Sequence, residues 1–373
     1  MVVNYKIKIL IVNTSAVLGG GNTISNSLAA GLNKNFFEVF TFFSDKGIAA
    51  DQIEKEVKVI FPPKSNFIYV FNFLRDFIQK NKINIINAQG TRAAFWVRLA
   101  SIGIKDKPKV IYTLHGLHII RKSFLIRYLL IILERFLNQW TDILVCVSNS
   151  DRDLVLKYKT ISPKKIVFIK HGIDIEKFQV DQFLIKNTKE KLGLSNNFIL
   201  TSVARLHHQK DFSTILKAFK IIILQNKNFR LLLVGGGSLR KSLENEKKNL
   251  DLNDYVKFLG VREDVPVLMN LSDIIILSTN WEALGLVCLE AGACRKPIIA
   301  SNISGVREAV LDKKTGYLFN FGSEKDLADK ILKLSESKEL RDSLGEAGYD
   351  FVSKNFRKEE MIQEYQNLYQ SLL

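Results

Sequence analysis

Cysteine, proline and histidine are scarce in this chain of 373 residues, which contains three, six and five of them. Cys146, Cys288 and Cys294 lie in apolar or small-residue surroundings and lack the spacing of metal ligands or of a redox pair. We therefore expect reduced, buried thiols in a cytosolic protein. His207 and His208 are adjacent and would point apart on a regular element, so we expect no metal site.

Long uninterrupted apolar runs are also missing. The nearest candidate for a spanning helix, Phe124–Leu137, is interrupted by Arg127, Glu134 and Arg135, whereas a span needs about 18 or more apolar residues. Near the N-terminus the apolar run 9–12 is too short for a signal peptide, and no cleavage site follows it. We expect a cytoplasmic protein, which could also lie peripherally on the inner face of the cell membrane.

Acidic residues are outnumbered by basic ones. The 54 Lys and Arg against 38 Asp and Glu leave a net charge of +16, which favours an anionic partner such as nucleic acid, anionic lipid or a phosphorylated substrate. Apolar residues make up 47% of the chain, so the composition is globular, and the length suits two domains of ordinary size.

What the chain does contain is a repeated alternation of short apolar runs with helical patterns. This alternation is typical of parallel sheets covered by helices, and it restarts in the second half. An irregular stretch between Lys170 and Lys191 separates the halves, and within it we place an interdomain hinge at about residues 172–181. The predicted strands are residues 6–13, 38–43, 57–60, 83–88, 110–114, 143–148, 166–169, 198–204, 231–234, 256–259, 274–277 and 297–301.

A glycine-rich loop follows the first predicted strand. Gly19, Gly20 and Gly21 precede a helical pattern that starts at Ile24. Glycines allow close approach of a ligand to the backbone, and the start of a helix offers N–H groups to an anion. The spacing is not the dinucleotide-binding fingerprint, so a plain tight turn stays an alternative.

His115 follows a predicted strand in the sequence Thr-Leu-His-Gly-Leu-His. Residues 19–21, 89–92, 115–118 and 148–150 all fall at carboxyl ends of strands, where ligands collect in such sheets. A histidine there could donate to phosphate or touch a reacting sugar. The alternative is a loop histidine without a catalytic role, which is the preferred interpretation of His118.

Two carboxylates, Glu282 and Glu290, flank a predicted helix start at about Gly285. The N–H groups of Gly285, Leu286 and Val287 would then form an anion site. Arg205 and Lys210 follow another strand of the same half and suit the charge of a diphosphate, although either could be an ordinary surface charge. The carboxylates and cations together suit a ligand with hydroxyls and phosphate.

These residues resemble a known family. The stretch Glu-Ala-Leu-Gly-Leu-Val-Cys-Leu-Glu-Ala-Gly-Ala-Cys-Arg-Lys-Pro-Ile-Ile-Ala-Ser from Glu282 looks like the signature of the retaining family-4 glycosyltransferases. The resemblance covers nearly the whole chain. It implies the GT-B fold, an α/β architecture of two doubly wound Rossmann-like domains facing across a cleft. It implies an N-terminal acceptor-binding domain, 1–175, rejoined by a C-terminal helix, 356–373, and a donor-binding domain, 176–355.

The resemblance also implies roles for individual residues. Glu290 would hold the ribose of a nucleotide diphosphate sugar, and Glu282 the hydroxyls of the donor sugar. The remaining assignments follow the order of the donor: sugar, diphosphate, base. His115 would face the sugar near the bond that breaks. The amides around Gly285, Leu286 and Val287 would bind the diphosphate together with Arg205 and Lys210. Val261 and Arg262 would lie near the base, and Gly20 and Gly21 would close over phosphate or acceptor.

Four positions depart from the usual family pattern. Ala283 and Leu284 stand where Gly-Phe is common and would adjust the donor pocket. Arg295 replaces a usual glycine, and His171 a common asparagine. Both glutamates are intact, so the departures bear on donor identity rather than on activity.

The implied reaction is transfer of a hexose or N-acetylhexosamine with retention at the anomeric carbon, with no cofactor or metal requirement. UDP is the preferred nucleotide, ahead of GDP or dTDP. The implied acceptor is a glycan or lipid-linked glycan in cell-surface polysaccharide or glycolipid synthesis. A sugar-nucleotide epimerase or phosphorylase on the same fold is the alternative. A nucleic-acid binder would fit only the net charge, so we expect no nucleic-acid partner.

Two helical patterns in the first half combine apolar and basic residues. They cover residues 121–140, with Arg121 and Lys122 at the start, and residues 67–82. Core packing is the ordinary explanation. The alternative is that both helices lie on an anionic membrane surface.

Overall fold

The computed structural model describes residues 6–17, 19–53, 57–117 and 123–373. The chain divides into two compact units: Met1–Gly172 with Lys358–Leu373, and Ile173–Arg357. Each unit has one sheet in which every paired strand runs parallel. The doubly wound α/β fold predicted from the alternation is therefore confirmed.

The first unit contains a seven-stranded sheet in the order β3-β2-β1-β4-β5-β6-β7. Its strands are β1 Ile7–Val12, β2 Phe37–Phe42, β3 Lys58–Ile60, β4 Ile85–Gln89, β5 Lys109–Leu114, β6 Ile143–Cys146 and β7 Ile166–Phe168. Its helices are α1 Gly20–Gly31, α2 Ile48–Asp51, α3 Phe67–Asn81, α4 Thr91–Ala100, α5 Phe124–Leu137 and α6 Asn149–Tyr158, with α15 Lys358–Ser371 from the end of the chain.

The second unit contains a six-stranded sheet in the order β10-β9-β8-β11-β12-β13. Its strands are β8 Phe198–Val203, β9 Phe229–Val234, β10 Val256–Gly260, β11 Ile274–Leu277, β12 Ile298–Ser301 and β13 Gly316–Phe319. Its helices are α7 Gln182–Lys191, α8 Phe212–Gln225, α9 Arg240–Asn249, α10 Val265–Asn270, α11 Leu286–Ala293, α12 Ser304–Arg307, α13 Glu324–Glu336 and α14 Lys338–Asn355.

Strand order reverses at the middle of each sheet. In the first unit β1 pairs with β2 on one side and with β4 on the other. In the second, β8 pairs with β9 and with β11. Loops that leave neighbouring strands on opposite faces open a crevice at such a switch point, so the loops after β1, β4, β8 and β11 are where a ligand is expected.

The last helix, α15, returns to the first unit, as expected from the family resemblance. Tyr365 and Tyr369 are almost completely buried there, and the Tyr369 ring packs edge-on against Phe37 with the ring centroids 6.1 Å apart. Gly31 of α1 lies against Ile362, since a Cβ at Gly31 would overlap that side chain. The end of the chain is therefore part of the core of its first unit.

Three elements differ from the sequence prediction. Helix α1 starts at Gly20 rather than at Ile24. Helix α7 lies in the stretch predicted to be irregular, and none of its residues is buried, so it has no apolar stripe to reveal it. Strand β13 has only four residues and follows the charged pair Lys313 and Lys314, which made its apolar run inconspicuous.

The two basic, apolar helices pack differently from each other. In α3, Val70, Leu74 and Ile78 are buried in the core, and the phenylalanines of its later turns pack against that core. In α5, by contrast, most large apolar side chains are exposed. They are Phe124, Leu125, Ile126, Tyr128, Leu129, Ile132, Leu133 and Phe136. Core packing therefore holds for α3 and is wrong for most of α5. No helix within the described ranges is long and apolar enough to cross a membrane.

The three cysteines are free and buried, as predicted. Burial raises the pKa of the Cys146 thiol to about 12 and raises the pKa values of Cys288 and Cys294 further. All three remain protonated near neutral pH and act as small apolar groups of the core.

Candidate functional site

Two loops meet at the switch point of the second sheet, one after β8 and one after β11. The N–H of Asp211 donates to the Ser278 carbonyl over 3.2 Å, and the N–H of Asn280 donates to the Gln209 carbonyl over 2.8 Å. The Gln209 amide also donates to the Trp281 carbonyl at 2.7 Å. Because β8 and β11 are neighbours in the sheet, residues some 70 positions apart become one continuous rim.

Lys210 and Glu282 form an ion pair across this rim. The Lys210 ammonium contacts Glu282 Oε1, and each side chain is only 13% exposed. The Thr279 hydroxyl donates to the same carboxylate oxygen at 3.2 Å. A cation and a carboxylate with so little contact to solvent interact more strongly than an exposed pair, so each holds the other in place at the mouth of the crevice.

Helix α11 begins one residue after Gly285, close to the predicted start. Gly285 adopts the left-handed conformation with φ +76°, which turns the chain from the loop into the helix. Leu284 is buried, and the carbonyl oxygens of Glu282 and Ala283 lie directly against Gly305, where no Cβ would fit. The first N–H groups of the helix, including those of Leu286 and Val287, have no carbonyl acceptor within the helix and form the positive end of its dipole.

Glu290 lies more than one turn inside α11. Burial raises the pKa of its carboxyl to about 7, and the positive charges of Lys177 and Lys210 oppose this only in part. Among the described residues, the carboxylate of Glu290 accepts no hydrogen bond. The side chain keeps some exposure, so a ligand hydroxyl can reach an acceptor that the protein itself leaves unused.

Arg205 is exposed on the loop that follows β8. This loop is bonded to a second glycine loop that the sequence prediction did not include in the site. The Leu206 N–H donates to the Gly236 carbonyl at 2.9 Å, and Gly235 and Gly237 approach the backbone of residues 204–206 too closely for any Cβ. Three successive glycines after a strand, the same signal as at residues 19–21, could have identified this loop.

Val261 and Arg262 follow β10 at the same edge of the sheet. Val261 is 52% exposed, and one of its methyl groups lies 3.0 Å from the position of a Cβ on Gly236. Both ends of the Arg262 guanidinium fork bond to Asp264, at 2.8 and 2.6 Å, and this bond lowers the pKa of Asp264. Since the side chain is engaged, a ligand beside Arg262 would meet mainly its backbone.

Gly20, Gly21 and His115 belong to the first unit. Gly20 and Gly21 form the first turn of α1, with Gly19 as the N-cap residue. The His115 ring lies beside both Gly21 and Gly90, since its Cδ2 atom is 3.9 and 4.0 Å from the positions of a Cβ on those glycines. The switch point between β1 and β4 thus brings the glycine loop and His115 together, whereas His118 lies outside the described residues.

Both ring nitrogens of His115 have protein partners. Nε2 lies 2.8 Å from Gln89 Oε1, and Nδ1 lies 3.1 Å from Nε2 of His171. The two imidazole rings are stacked with their centroids 5.0 Å apart. In this arrangement both ring nitrogens of His115 are engaged by protein groups, and its contact with phosphate or with the sugar stays a prediction.

In the described ranges of the chain, no three His, Cys, Asp or Glu side chains cluster so that they could hold a metal ion.

Two family models match the chain in sequence. A model described as Glycosyltransferase Family 4 matches residues 18–177, and one described as Glycosyl transferases group 1 matches residues 185–351. The matches do not overlap, and together they take in most of the chain. Their boundary falls close to the division between the two units.

Individual proteins with similar sequences span nearly the full length. The capsular polysaccharide biosynthesis glycosyltransferase CapM of Staphylococcus aureus is 27% identical over 361 residues, which are 92% of this chain and 92% of CapM. The UDP-Gal:alpha-D-GlcNAc-diphosphoundecaprenol alpha-1,3-galactosyltransferase of Escherichia coli is 28% identical over 367 residues, which are 94% of this chain and 92% of that enzyme.

Among solved structures, that of HepE from Anabaena in complex with UDP and glucose has the same fold. It matches with a TM-score of 0.88 at 21% identity, over 98% of this chain and 100% of HepE. Each unit of this chain contains one sheet and corresponds to one of the two family models, in chain order. The chain therefore belongs to the family-4 glycosyltransferases of the GT-B fold, and it is a glycosyltransferase.

Proposed function

We propose that this enzyme transfers a hexose or N-acetylhexosamine from a UDP-sugar to a glycan or lipid-linked acceptor, with retention of configuration and without a metal ion. One observation carries the proposal: the N-terminus of α11 lies between Glu282, which is paired with Lys210, and Glu290, whose carboxylate has no donor in the described part of the chain. The names of two relatives support the substrates. One uses UDP-Gal and a diphosphoundecaprenol-linked acceptor, and the other acts in capsular polysaccharide synthesis. The bound UDP and glucose of HepE agree with a UDP-sugar.

In this proposal the donor is held by groups of different charge. Glu290 accepts hydrogen bonds from the ribose hydroxyls, and the N–H groups from Gly285 to Val287 bind the diphosphate, as helix N-termini do. Glu282 binds hydroxyls of the donor sugar. The unused acceptor capacity of Glu290 and the position of Glu282 at the crevice support these assignments.

The leaving diphosphate is stabilised by fixed positive charge. Lys210 already lies at the helix start, where Glu282 holds it, and Arg205 is exposed on the same loop. Because these cations are in place before the reaction, the site does not have to rearrange when the bond between the anomeric carbon and the phosphate oxygen breaks. Two cations and a helix dipole thus take the role that a divalent metal has in other transferases.

Retention follows from a front-face reaction. The acceptor hydroxyl bonds to the anomeric carbon on the side that the diphosphate leaves, and its proton passes to the leaving phosphate oxygen. A covalent route would need a free carboxylate nucleophile, whereas Glu282 is engaged by Lys210. Determining the anomeric configuration of the product by NMR tests this step, and an inverted linkage would contradict it.

The two glutamates allow the donor assignment to be tested by a matched pair of variants. We expect Glu290→Ala to abolish most UDP binding, because the ribose loses its acceptor. We expect Glu282→Ala to keep UDP binding, because Lys210 is then released toward phosphate, while turnover of the UDP-sugar falls by about tenfold or more. Isothermal titration calorimetry with UDP and a sugar-transfer assay measure the two effects. Unchanged UDP binding in Glu290→Ala would overturn the ribose assignment.

We further propose that α5 attaches the enzyme to an anionic membrane surface. Its eight exposed apolar side chains form an uncovered face, whereas Glu134, the one acidic residue of α5, points inward and bonds to the buried Arg98 at 2.9 Å. The outer face therefore combines apolar groups with Arg127, and the whole chain carries a charge of +16. Apolar insertion together with basic charge is the chemistry that anionic lipid attracts.

Vesicle flotation tests this attachment. Each Leu that enters the lipid contributes about 1.5 kcal/mol or more, so Leu125→Ser with Leu129→Ser should lower partitioning about a hundredfold. Leu224→Ser serves as the control, because Leu224 is equally exposed but lies in the second unit. Vesicles of anionic lipid should bind more protein than neutral ones, and more at low salt. Equal binding of all variants, or no binding, would contradict the proposal.

A further inference from the structure

A chain of buried polar side chains leads from the last helix to His115. The Asn87 amide donates to the Tyr369 hydroxyl at 2.7 Å, and the Gln89 amide donates to Asn87 Oδ1 at 3.0 Å. Gln89 Oε1 then meets His115 Nε2 at 2.8 Å, and His115 Nδ1 meets His171 Nε2 at 3.1 Å. Donor transfer as described above makes no use of Asn87, Gln89 or His171, although all three are more than nine-tenths buried.

The hydrogen bonds of this chain have a direction. Asn87 Oδ1 accepts from both the Gln89 amide and the Thr113 hydroxyl, at 3.0 and 2.8 Å. The NH2 end of the Gln89 side chain therefore faces Asn87, and its oxygen, Oε1, faces His115. An oxygen can only accept, so His115 carries its proton on Nε2 and presents the lone pair of Nδ1 to His171.

His171 completes the chain as a donor. With a lone pair on His115 Nδ1, the proton of His171 lies on Nε2 and its Nδ1 is bare. His171 Nδ1 is buried and has no hydrogen-bond partner among the described residues. Burial, and then the neighbouring His115, lower the pKa of His171 well below its ordinary value, so the ring is neutral.

The contact between His115 and His171 also disfavours a second proton on His115. A proton on His115 Nδ1 would force His171 to accept at Nε2 and to carry its own proton on Nδ1. That N–H would be buried without an acceptor, which is unfavourable.

We propose that His171 is a positioning residue that keeps His115 neutral. Gln89 fixes the proton of His115 on Nε2, and the N–H of His171 occupies the lone pair of Nδ1, with the carbon edge of the ring toward Gly21. His115 then acts as a neutral wall of the crevice in the first unit, while Lys210 and Arg205 supply positive charge. The kinetic part of this inference rests on the proposed transferase reaction. The tautomer itself does not depend on any substrate.

Two variants of nearly equal size separate donation from packing. His171→Gln places an amide N–H at about the reach of the imidazole Nε2, whereas His171→Met has no donor. Nitrogen-15 NMR of histidine-labelled enzyme reports the tautomer of His115, which is assigned by the loss of its signals in His115→Gln. Because the Gln89 oxygen accepts at Nε2 in every variant, we expect Nε2 to stay protonated throughout. Near the ordinary pKa of histidine, about 6.5, we expect Nδ1 to carry no proton in the parent enzyme and in His171→Gln. In His171→Met we expect Nδ1 to take up a proton, because no donor then occupies its lone pair.

We expect the substitution of His171 to lower kcat selectively. In His171→Met, kcat should fall about tenfold, as for one lost hydrogen bond, while the KM for the UDP-sugar and the affinity for UDP stay unchanged. His171→Gln should restore most of kcat. Urea unfolding serves as the folding control for the first unit, because Glu290 and Lys210 belong to the other unit and UDP affinity does not report on His171.

Three results would overturn the inference: a parent His115 protonated at Nδ1, an Nδ1 that stays unprotonated in His171→Met near pH 6.5, or equal kinetic damage in both variants. The expected tautomers with no sugar transfer from any nucleotide sugar would instead count against the proposed function and leave the role of His171 in place.

Discussion

At the scale of single residues, the ligand-binding role proposed for Glu290 comes with a cost in stability. Its surroundings raise its pKa to about 7 because burial disfavours the charged form. The same carboxylate, left without a protein donor, is a strong acceptor for ligand hydroxyls. Its charge state should therefore affect stability and UDP binding in opposite directions.

UDP affinity should depend on the ionisation of Glu290. Ribose hydroxyls donate more strongly to a carboxylate than to a carboxylic acid, so binding should tighten as pH rises through about 7. Between pH 6 and pH 8 we expect about a tenfold gain in affinity from this group. Titration calorimetry of the parent enzyme and of Glu290→Gln measures this gain. The ionisation of UDP itself affects both proteins equally, so it cancels in the comparison. Parallel pH profiles would contradict the assignment.

The stability of the free enzyme should depend on Glu290 with the opposite sign. The folded pKa, about 7, lies above the ordinary value of 4.5, so the native state binds more protons than the unfolded state between these values. Stability is therefore lost as pH rises from about 4.5 through 7. Glu290→Gln should be about 1 to 2 kcal/mol more stable than the parent at pH 8, a value reduced for partial exposure. Urea unfolding of both proteins at pH 5 and pH 8 measures this difference. The same difference in stability between variant and parent at both pH values would contradict the prediction.

At the scale of elements, the entry into α11 depends on two glycines for different reasons. Gly285 needs its left-handed conformation, but a Cβ there would point at Cys288, Leu277 and Val306 at ordinary contact distances of 3.5 to 3.6 Å. Gly305 has no conformational need, but its Cβ would overlap the carbonyl oxygen of Glu282. Only the second change would move the loop that carries Glu282.

We predict that the two alanine substitutions differ in their effect on the site. Gly285→Ala should cost about 1 to 2 kcal/mol of stability, the price of a left-handed residue, and leave UDP affinity nearly unchanged. Gly305→Ala should lower both stability and UDP affinity, because backbone atoms must move. Urea unfolding and calorimetry distinguish the variants. Weaker UDP binding in Gly285→Ala than in Gly305→Ala would show that the helix start, rather than the loop, is the sensitive part.

Helix α5 shows that an element can be anchored firmly and still be open on its outer face. Arg98 is fully buried and bonds to Glu134, Asn138 and Thr141 at 2.9, 2.5 and 2.9 Å. Breaking such a buried pair costs about 3 to 5 kcal/mol. The apolar outer residues add nothing to this anchor, which is why they can be changed to test membrane attachment without loosening the helix.

At the scale of the whole molecule, the first unit depends on the end of the chain. Helix α15 follows α14 of the second unit in sequence, yet its tyrosines Tyr365 and Tyr369 are buried in the first unit and bond to Thr113 and Asn87. The last residues therefore complete the core beneath His115. The second unit contains Glu290, Lys210 and Glu282 without any contribution from α15.

Truncation after Arg357 should therefore affect the two units unequally. We expect faster hydrogen exchange in α1, β4 and β5, because α15 packs against α1 and supplies the hydrogen-bond partners of Asn87 and Thr113. UDP affinity should stay close to that of the full chain, since Ile173–Arg357 is intact. Hydrogen-exchange mass spectrometry with and without UDP tests both statements. Loss of UDP binding together with loss of protection would show that the units unfold as one.

Much of this site was predictable because its signals are local. The helix start beside Gly285 follows from a strand, a loop and small residues read in order, and the rim of loops follows from the rule for parallel sheets. The pairing of His115 with His171 was not predictable. These residues are 56 positions apart, and nothing in either segment indicates that their rings stack.

The sequence alone was sufficient for the α/β class, for the division of the chain into two halves and for the helix start beside Gly285, because periodicity, glycine loops and charge are properties of short segments. The folded chain was needed to learn that α5 is uncovered, that α15 completes the first core and that Lys210 holds Glu282. An apolar helix has the same pattern whether neighbours cover it or not, and long-range partners are set by how the elements pack.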